Sequence, residues 1–234
     1  MRSVAGNGGS AARRAFRPLA DKVLALSEFH KRVLSAAVML PPVVAAVYLG
    51  APWFTMLIVI FAAAMLWEWL TLARSQMLWL VPGTAYILAA CYMLFLMRGD
   101  GVEGRNLILF LFVVTWATDT GAYIVGRAAG GPKLAPRISP SKTISGAVGG
   151  LLIGVGAGIL IWWATGGAIE PRFVLAAVLG SVACQIGDLL ESGAKRHFQV
   201  KDSGRLIPGH GGVLDRVDGL LAAALAVAAT GVWR

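Results

Sequence analysis

The sequence predicts an all-α, polytopic integral membrane protein with about seven transmembrane helices. Of its 234 residues, 57% are hydrophobic and 14% are charged, whereas a soluble domain has about a quarter charged residues. The mean hydropathy is +0.72. The apolar residues lie in runs of about 20, which is the length that a helix needs to cross a bilayer. One compact domain embedded in a lipid bilayer accounts for this composition.

Residues 1–32 differ from the rest of the chain. They are rich in Gly, Ala, Ser and Arg and lack the apolar stretch that a signal peptide requires. We interpret them as a cytoplasmic basic tail. Its last part, residues 21–32, is expected to form a short helix at the membrane interface, with its apolar side chains toward lipid.

Seven apolar segments follow, and a cytoplasmic loop at 127–145 divides them into two groups. Residues 33–126 form the amino-terminal group, and residues 146–234 form the carboxyl-terminal group with a candidate catalytic loop at 191–218. Pro41 and Pro42 are expected to kink the first span and to divide it into two pieces. The predicted spans are Val33–Leu49, Trp53–Ala73, Leu78–Met97, Leu107–Val125, Gly146–Ala164, Phe173–Leu190 and Val213–Trp233.

The distribution of Lys and Arg predicts the orientation. The formal net charge is +9, and most cations lie in the tail and in the loops after the fourth and sixth spans. With seven spans these segments share one side, so the amino terminus is cytoplasmic and the carboxyl terminus is outside. The charge therefore indicates topology in a cytoplasmic (inner) membrane, with the polar loops facing the cytoplasm, and we expect no nucleic-acid partner.

Two sets of residues could form a phosphate and metal site. Asp215 and Asp218 share a helix face and, with Asp188, could give oxygens to Mg²⁺. The alternative is ion pairing with Arg216 and nearby lysines, but pairing alone does not explain carboxylates clustered at membrane depth. The possible anion ligands lie on the same polar segment, among turn-forming residues. They are Lys195, Arg196, Lys201, Arg205, His210, Gly211 and Gly212.

Two upstream motifs remain open between a functional and a structural role. Ser139, Lys142 and Thr143 precede the fifth span and could bind a phosphate at a helix start, or form an ordinary helix cap. Asp119 lies in the fourth span and could serve a metal or a nucleotide. Its alternative role is a hydrogen bond between helices, made with the threonines on either side.

Two further patterns are interpreted structurally. Glycines recur every four residues along one face of the fifth span, which is typical of close helix packing, either within the chain or across a dimer. They are Gly146, Gly150, Gly154 and Gly158. Glu68, between Trp67 and Trp69, is expected to end the second span in an aromatic belt at the cytoplasmic interface.

The polar segment closely resembles the signature of the phosphatidate cytidylyltransferase family, also called CDP-diacylglycerol synthase. The matching residues are Ser192, Lys195-Arg196, Lys201-Asp202, Gly204, Pro208, His210-Gly211-Gly212 and Asp215-Arg216-Val217-Asp218. The resemblance extends upstream through Gly187-Asp188, Ser139-Pro140, Lys142-Thr143 and Asp119 to Tyr123. It covers most of the chain.

The resemblance implies a nucleotidyltransferase of phospholipid biosynthesis. CTP and phosphatidate would give CDP-diacylglycerol and pyrophosphate in a Mg²⁺-dependent reaction, in a homodimer, with a second, monovalent cation such as K⁺ in some members. The family's metal-binding aspartates fall on Asp188 and Asp215, with Asp218 close by, and Lys201 joins them as a candidate catalytic residue. Lys201, Arg205 and His210 would bind the triphosphate or stabilise the leaving pyrophosphate, and Ser139, Lys142 and Thr143 are candidates for binding the phosphatidate headgroup.

A cation- or proton-coupled membrane transporter is the alternative, because intramembrane carboxylates also mark ion relays. The one-sided placement of the carboxylates and the lack of recognisable inverted repeats in the sequence argue against it.

Overall fold

The computed structural model describes residues 38–204, 206–207 and 211–234. This part of the chain forms seven helices and one two-stranded β-hairpin. The helices are α1 (Val38–Leu49), α2 (Trp53–Ala73), α3 (Met77–Arg98), α4 (Val102–Ala129), α5 (Ile144–Ala164), α6 (Pro171–His197) and α7 (Leu214–Ala229). The strands are β1 (Lys133–Ala135) and β2 (Ser139–Thr143). The predicted basic tail and interfacial helix lie outside the described residues.

The predicted fold class is confirmed. Helices occupy all seven predicted positions, and five of them, α2 to α6, are long and apolar enough to cross a membrane. Helix α7 is shorter, with 16 residues, as is the described part of α1. That part is helical through Pro41 and Pro42, and residues 33–37 of the predicted span lie outside the described residues, so the predicted kink stays a prediction.

The glycine face of α5 packs against α4, as one of the two packing alternatives predicted. A Cβ atom at Gly150 would lie 2.7 Å from the Thr118 carbonyl oxygen, and one at Gly146 would lie 2.7 Å from the Ala122 carbonyl oxygen. A larger residue at either position would push the two backbones apart. The contact lies within one chain and places α4, including Asp119, directly beside α5.

Helix α4 is also tied to α6 by a buried hydrogen bond. The hydroxyl oxygens of Thr118 and Ser181 lie 2.8 Å apart, and both side chains are fully buried. Thr118 therefore makes its interhelical hydrogen bond with Ser181, and not with Asp119 as the alternative role of Asp119 predicted. Its neighbour Asp119 is left exposed on another face of α4.

The predicted cytoplasmic loop at 127–145 contains an antiparallel hairpin that the sequence did not reveal. Lys133 of β1 lies opposite Thr143 of β2. The Thr143 hydroxyl then accepts a hydrogen bond from the Gly146 backbone N–H at 3.1 Å, which caps α5. The hairpin thus brings Lys142 and Thr143 against the start of α5.

The candidate catalytic loop is shorter than predicted. Helix α6 continues to His197, and α7 begins at Leu214, so only residues 198–213 connect them. Lys195, Arg196 and His197 lie in the last turn of α6, where positive charge is favoured by the helix dipole. These two helices pack on each other, which brings the end of α6 beside the start of α7.

Candidate active site

Two cavities meet at Asp119. A polar cavity of about 660 Å³ lies between α4, the hairpin, α5 and α6. An apolar cavity of about 300 Å³ lies between α1, α2, α3, α4 and α7, with Phe54, Phe61, Leu94 and Trp116 among its lining residues. Both volumes suit a small-molecule site. Because Asp119 lines both cavities, groups bound in the two could approach each other there.

Two more aspartates stand close to Asp119. Asp188 of α6 lines the polar cavity, and Asp218 of α7 lines the apolar cavity. The charges of all three carboxylates repel one another. The buried Cys184 thiol donates a weak hydrogen bond to Asp119 Oδ1 at 3.6 Å. The arrangement places negative charge between the cavities, where a cation would be attracted.

Asp188 is partnered by a cation of the polar cavity. Lys142 of β2 forms an ion pair with its Oδ2 atom, and the Ser192 hydroxyl donates to its Oδ1 atom at 3.5 Å. The Asp188 side chain is nevertheless about one third exposed. It can therefore exchange Lys142 for a bound metal cation, and Lys142 would then be free to pair with a phosphate.

Asp215 differs from Asp188, because both of its carboxylate oxygens accept short hydrogen bonds from the loop or from Lys195. Oδ1 accepts from Lys195 Nζ at 2.7 Å, and Lys195 also pairs with Glu191 at 2.6 Å. Oδ2 accepts from the backbone N–H groups of Ser203 and Gly212, each at 2.9 Å, and from the Ser203 hydroxyl at 3.0 Å. The side chain is only 3% exposed. Asp215 therefore fastens the loop to α6 and α7.

Glu68 of α2 is buried against the same loop, and the expectation that it serves in an aromatic belt is wrong. Its side chain is 3% exposed, and its Oε1 and Oε2 atoms accept from the backbone N–H groups of Val213 and Leu214 at 3.0 and 2.9 Å. Trp69 is also buried, while Trp67 is 69% exposed. Helix α2 thus contributes a carboxylate to the start of α7.

The remaining site residues fall into three groups. Lys142, Thr143 and Arg216 line the cavities, Arg216 on the apolar side. Arg196 donates to the Ile138 carbonyl oxygen at 3.3 Å and so links α6 to the hairpin.

Other residues of this set lie in the loop or at the start of β2. Gly211 has a positive φ of 87°, which favours glycine, and it pairs with Ile207 in an isolated bridge. Lys201 is exposed, and Ser139 opens β2. Arg205 and His210 lie outside the described residues.

The sequence model described as the Cytidylyltransferase family matches residues 75–232 of this chain, which is more than half of it. The chain belongs to the cytidylyltransferase family. The match includes the hairpin, α5, α6, the loop and α7, and with them all the candidate site residues from Asp119 onward. Glu68 precedes it.

Curated relatives carry the name phosphatidate cytidylyltransferase. One from Brucella suis is 56% identical over 149 residues, covering 62% of this chain and 54% of the relative. One from Staphylococcus saprophyticus is 51% identical over 129 residues, covering 51% and 46%. One from Rickettsia bellii is 36% identical over 203 residues, covering 83% and 87%. The chain spans about half the length of the Brucella and Staphylococcus relatives.

The predicted Mg²⁺ site can be compared with the acidic side chains that the structure brings together. Across the ranges that the structure describes, no three His, Cys, Asp or Glu side chains come together to hold one ion. Asp188, Asp215 and Asp218 are therefore not assembled as a compact triad. Mg²⁺ needs only one or two protein carboxylates, with water and phosphate completing its shell. Asp188 and Asp218 fit that requirement, and the assignment stays a prediction.

Two cations of the polar cavity were missed at the sequence level. Arg127 and Lys133 both line it beside Lys142, and Arg127 donates to the Tyr123 hydroxyl at 2.8 Å. In the sequence they are indistinguishable from other positive charges on a cytoplasmic loop. The hairpin is what turns this part of the loop toward α4 and α5, and its two short strands carry little sequence signal.

Proposed function

We propose that this cytidylyltransferase-family protein condenses CTP with phosphatidate to give CDP-diacylglycerol and pyrophosphate. The observation that carries the proposal is the position of Asp119 between a polar, cationic cavity and an apolar one. A reaction between a nucleotide and a membrane lipid needs both kinds of cavity, and it needs them to meet. The names of the curated relatives support the same substrates.

The apolar cavity is the proposed site for part of a phosphatidate acyl chain. Its lining is aliphatic and aromatic apart from a few polar groups, as is usual for sites that bind apolar ligands. Arg216 and Asp218 lie at its wall. A lipid held here would carry its phosphate toward Asp119, where Arg216 is the candidate headgroup ligand.

The polar cavity is the proposed site for CTP. Lys142, Lys133 and Arg127 supply positive charge around it, and the turn at Gly130 and Gly131 brings backbone close. A triphosphate would be stabilised by these cations. This assignment of Lys142 to the nucleotide reverses the sequence-based expectation that it binds the phosphatidate headgroup. Lys201, in the exposed loop after α6, stays a candidate for the leaving pyrophosphate.

The proposed chemistry is a phosphoryl-centre substitution. A phosphate oxygen of phosphatidate attacks the α-phosphorus of CTP, the bond from that phosphorus to the bridging oxygen breaks, and pyrophosphate leaves. The nucleophile is already an anion, so the protein must mainly position the two substrates and neutralise charge. Mg²⁺ bound by Asp188 and Asp218 would supply much of that neutralisation. Asp215 could join them only by releasing Lys195.

We propose the same location as the sequence analysis: the cytoplasmic (inner) membrane, with the polar cavity open to the cytoplasm and the enzyme acting as a homodimer. CTP is a cytosolic compound, which requires access from that side. The comparisons give no support to the transporter alternative.

The test is turnover by purified protein in detergent. Phosphatidate, Mg²⁺ and each of the four nucleoside triphosphates in turn are supplied, and both pyrophosphate and the nucleotide-linked lipid are measured. We expect product with CTP and its loss in Asp188→Asn, which keeps the loop contacts of Asp215 intact. Absence of product with every nucleotide, from protein that elutes as a single folded species, would reject the proposal.

A further inference from the structure

The first N–H groups of α7 are satisfied by a residue from a different helix. A helix begins with backbone N–H groups that have no partner within the helix, and no side chain of the preceding residue, Val213, caps α7. Glu68 of α2 accepts from Val213 and Leu214 instead. It lies 145 residues before Val213 in the sequence. The start of α7 is therefore held in place from outside the family-matched region.

The loop packs around the Glu68 carboxylate with little space to spare. A Cβ atom at Gly212 would lie 2.7 Å from Glu68 Oε2, and one at Gly204 would collide with the same carboxylate. The Ser203 hydroxyl lies 3.4 Å from Glu68 Oε2 and 3.0 Å from Asp215 Oδ2. Ser203 thus joins the two buried carboxylates. Glu68 and Asp215 together hold the same short loop.

We propose that Glu68 is a positioning residue for the cytidylyl transfer. By holding Val213 and Leu214, it sets where α7 begins, and so where Asp215 and Asp218 stand relative to Asp188 on α6. The inference rests on the proposed function for the reaction that it serves. Its own content is structural: a carboxylate in α2 controls the geometry of carboxylates in α7.

A carboxylate suits this position better than an amide for two reasons. Both oxygens of Glu68 accept a backbone N–H, whereas a glutamine offers one accepting oxygen and would turn its NH₂ group toward the second N–H. A negative charge also interacts favourably with the amino-terminal end of a helix dipole. Glu68→Gln keeps the size of the side chain but removes the second accepting oxygen and the negative charge. It therefore tests these two features without a change in packing volume.

The experiment compares Glu68→Gln with Glu68→Asp and with Trp67→Phe in the purified full chain. Trp67 is the matched control because it neighbours Glu68 on α2 but is exposed. Three quantities are measured: hydrogen exchange of the peptide that contains Val213 and Leu214, kcat per folded enzyme, and the Mg²⁺ concentration for half-maximal rate. A general loss of fold would lower the amount of active enzyme without changing that Mg²⁺ requirement.

In Glu68→Gln we expect faster exchange at Val213 and Leu214. We also expect a kcat about tenfold lower and a Mg²⁺ requirement about tenfold higher, which matches the loss of one hydrogen bond to a charged group. Glu68→Asp keeps the charge with a shorter reach and should fall between Glu68→Gln and the wild type. Trp67→Phe should match the wild type in all three quantities. A folded Glu68→Gln protein with wild-type kcat and Mg²⁺ requirement would overturn the inference.

Two further measurements distinguish a failure of this inference from misfolding of the variant and from a failure of the proposed function. Should Glu68→Gln not fold, Ser203→Ala removes only the hydroxyl between Glu68 and Asp215, and a rise of about threefold in the Mg²⁺ requirement is expected. An unchanged requirement there would overturn the inference. A wild-type protein without turnover would reject the proposed function instead, and the exchange measurement would still report whether Glu68 holds α7.

Discussion

Carboxylates around the start of α7 fall into two groups that differ in what their oxygens do. Glu68 and Asp215 are buried, and each of their oxygens accepts hydrogen bonds from the loop or from Lys195. Asp119 and Asp188 face cavities, and Asp188 pairs with the single cation Lys142. The comparison shows that one residue type builds the scaffold in one group and is available for ligands in the other. Burial and hydrogen bonds from backbone N–H groups separate the two groups, whereas sequence spacing does not.

Asp188→Asn should have the largest effect on turnover. It removes a cavity-facing charge that we assign to Mg²⁺, so we expect kcat to fall about 10³-fold, or about 4 kcal/mol in transition-state free energy. Thermal unfolding should shift by no more than about 4 °C, since the side chain is partly exposed and the loop is untouched. Rates and unfolding temperatures of the purified variant check both numbers. A strongly destabilised variant would move Asp188 into the scaffold group.

Asp215→Asn should lower both turnover and stability. Its amide would face the N–H groups of Ser203 and Gly212 and would leave Lys195 with Glu191 alone. We expect a loss of about 3 kcal/mol in unfolding free energy, as for other broken buried ion pairs. Denaturation followed by tryptophan fluorescence measures it. Loss of turnover at unchanged stability would instead place Asp215 with the metal-binding carboxylates, as the sequence indicates.

Lys142→Met and Lys195→Met form a matched pair with smaller effects. Lys142 lies in the polar cavity, so its loss should raise the KM for CTP about tenfold and that for phosphatidate less. Lys195 holds Glu191 and Asp215, so its loss should chiefly lower the unfolding temperature. Substrate titrations and thermal scans of both variants provide the comparison. A larger change in the KM for phosphatidate in Lys142→Met would restore the headgroup assignment.

The helices were predictable because each apolar run is long enough to be recognised without knowledge of its neighbours. Close packing of the α5 glycines against another helix was predictable for a similar reason, since a four-residue repeat of small residues has few other uses in a membrane, but the partner helix, α4, was not. The polar segment after α6 was also recognised as the candidate site. In each of these cases the information lies within about 30 consecutive residues.

What the sequence could not provide is contact between distant segments. Glu68 was misinterpreted because its partners, Val213 and Leu214, are about 145 residues away. Asp188 and Asp215 looked equivalent, since the hydrogen bonds that occupy Asp215 come from a folded loop. The hairpin was missed because strands of three and five residues are too short to show alternation.

The position of Asp119 in the lining of both cavities has a consequence for inhibitor design. A compound that joins an alkyl tail to an anionic, nucleotide-like head through a short linker could occupy both cavities at once. Binding of the first half would hold the second at a high effective concentration, so modest affinities in each cavity would combine. Because the two cavities touch at one side chain, the linker need only be long enough to pass Asp119, and a longer one would forfeit part of the gain.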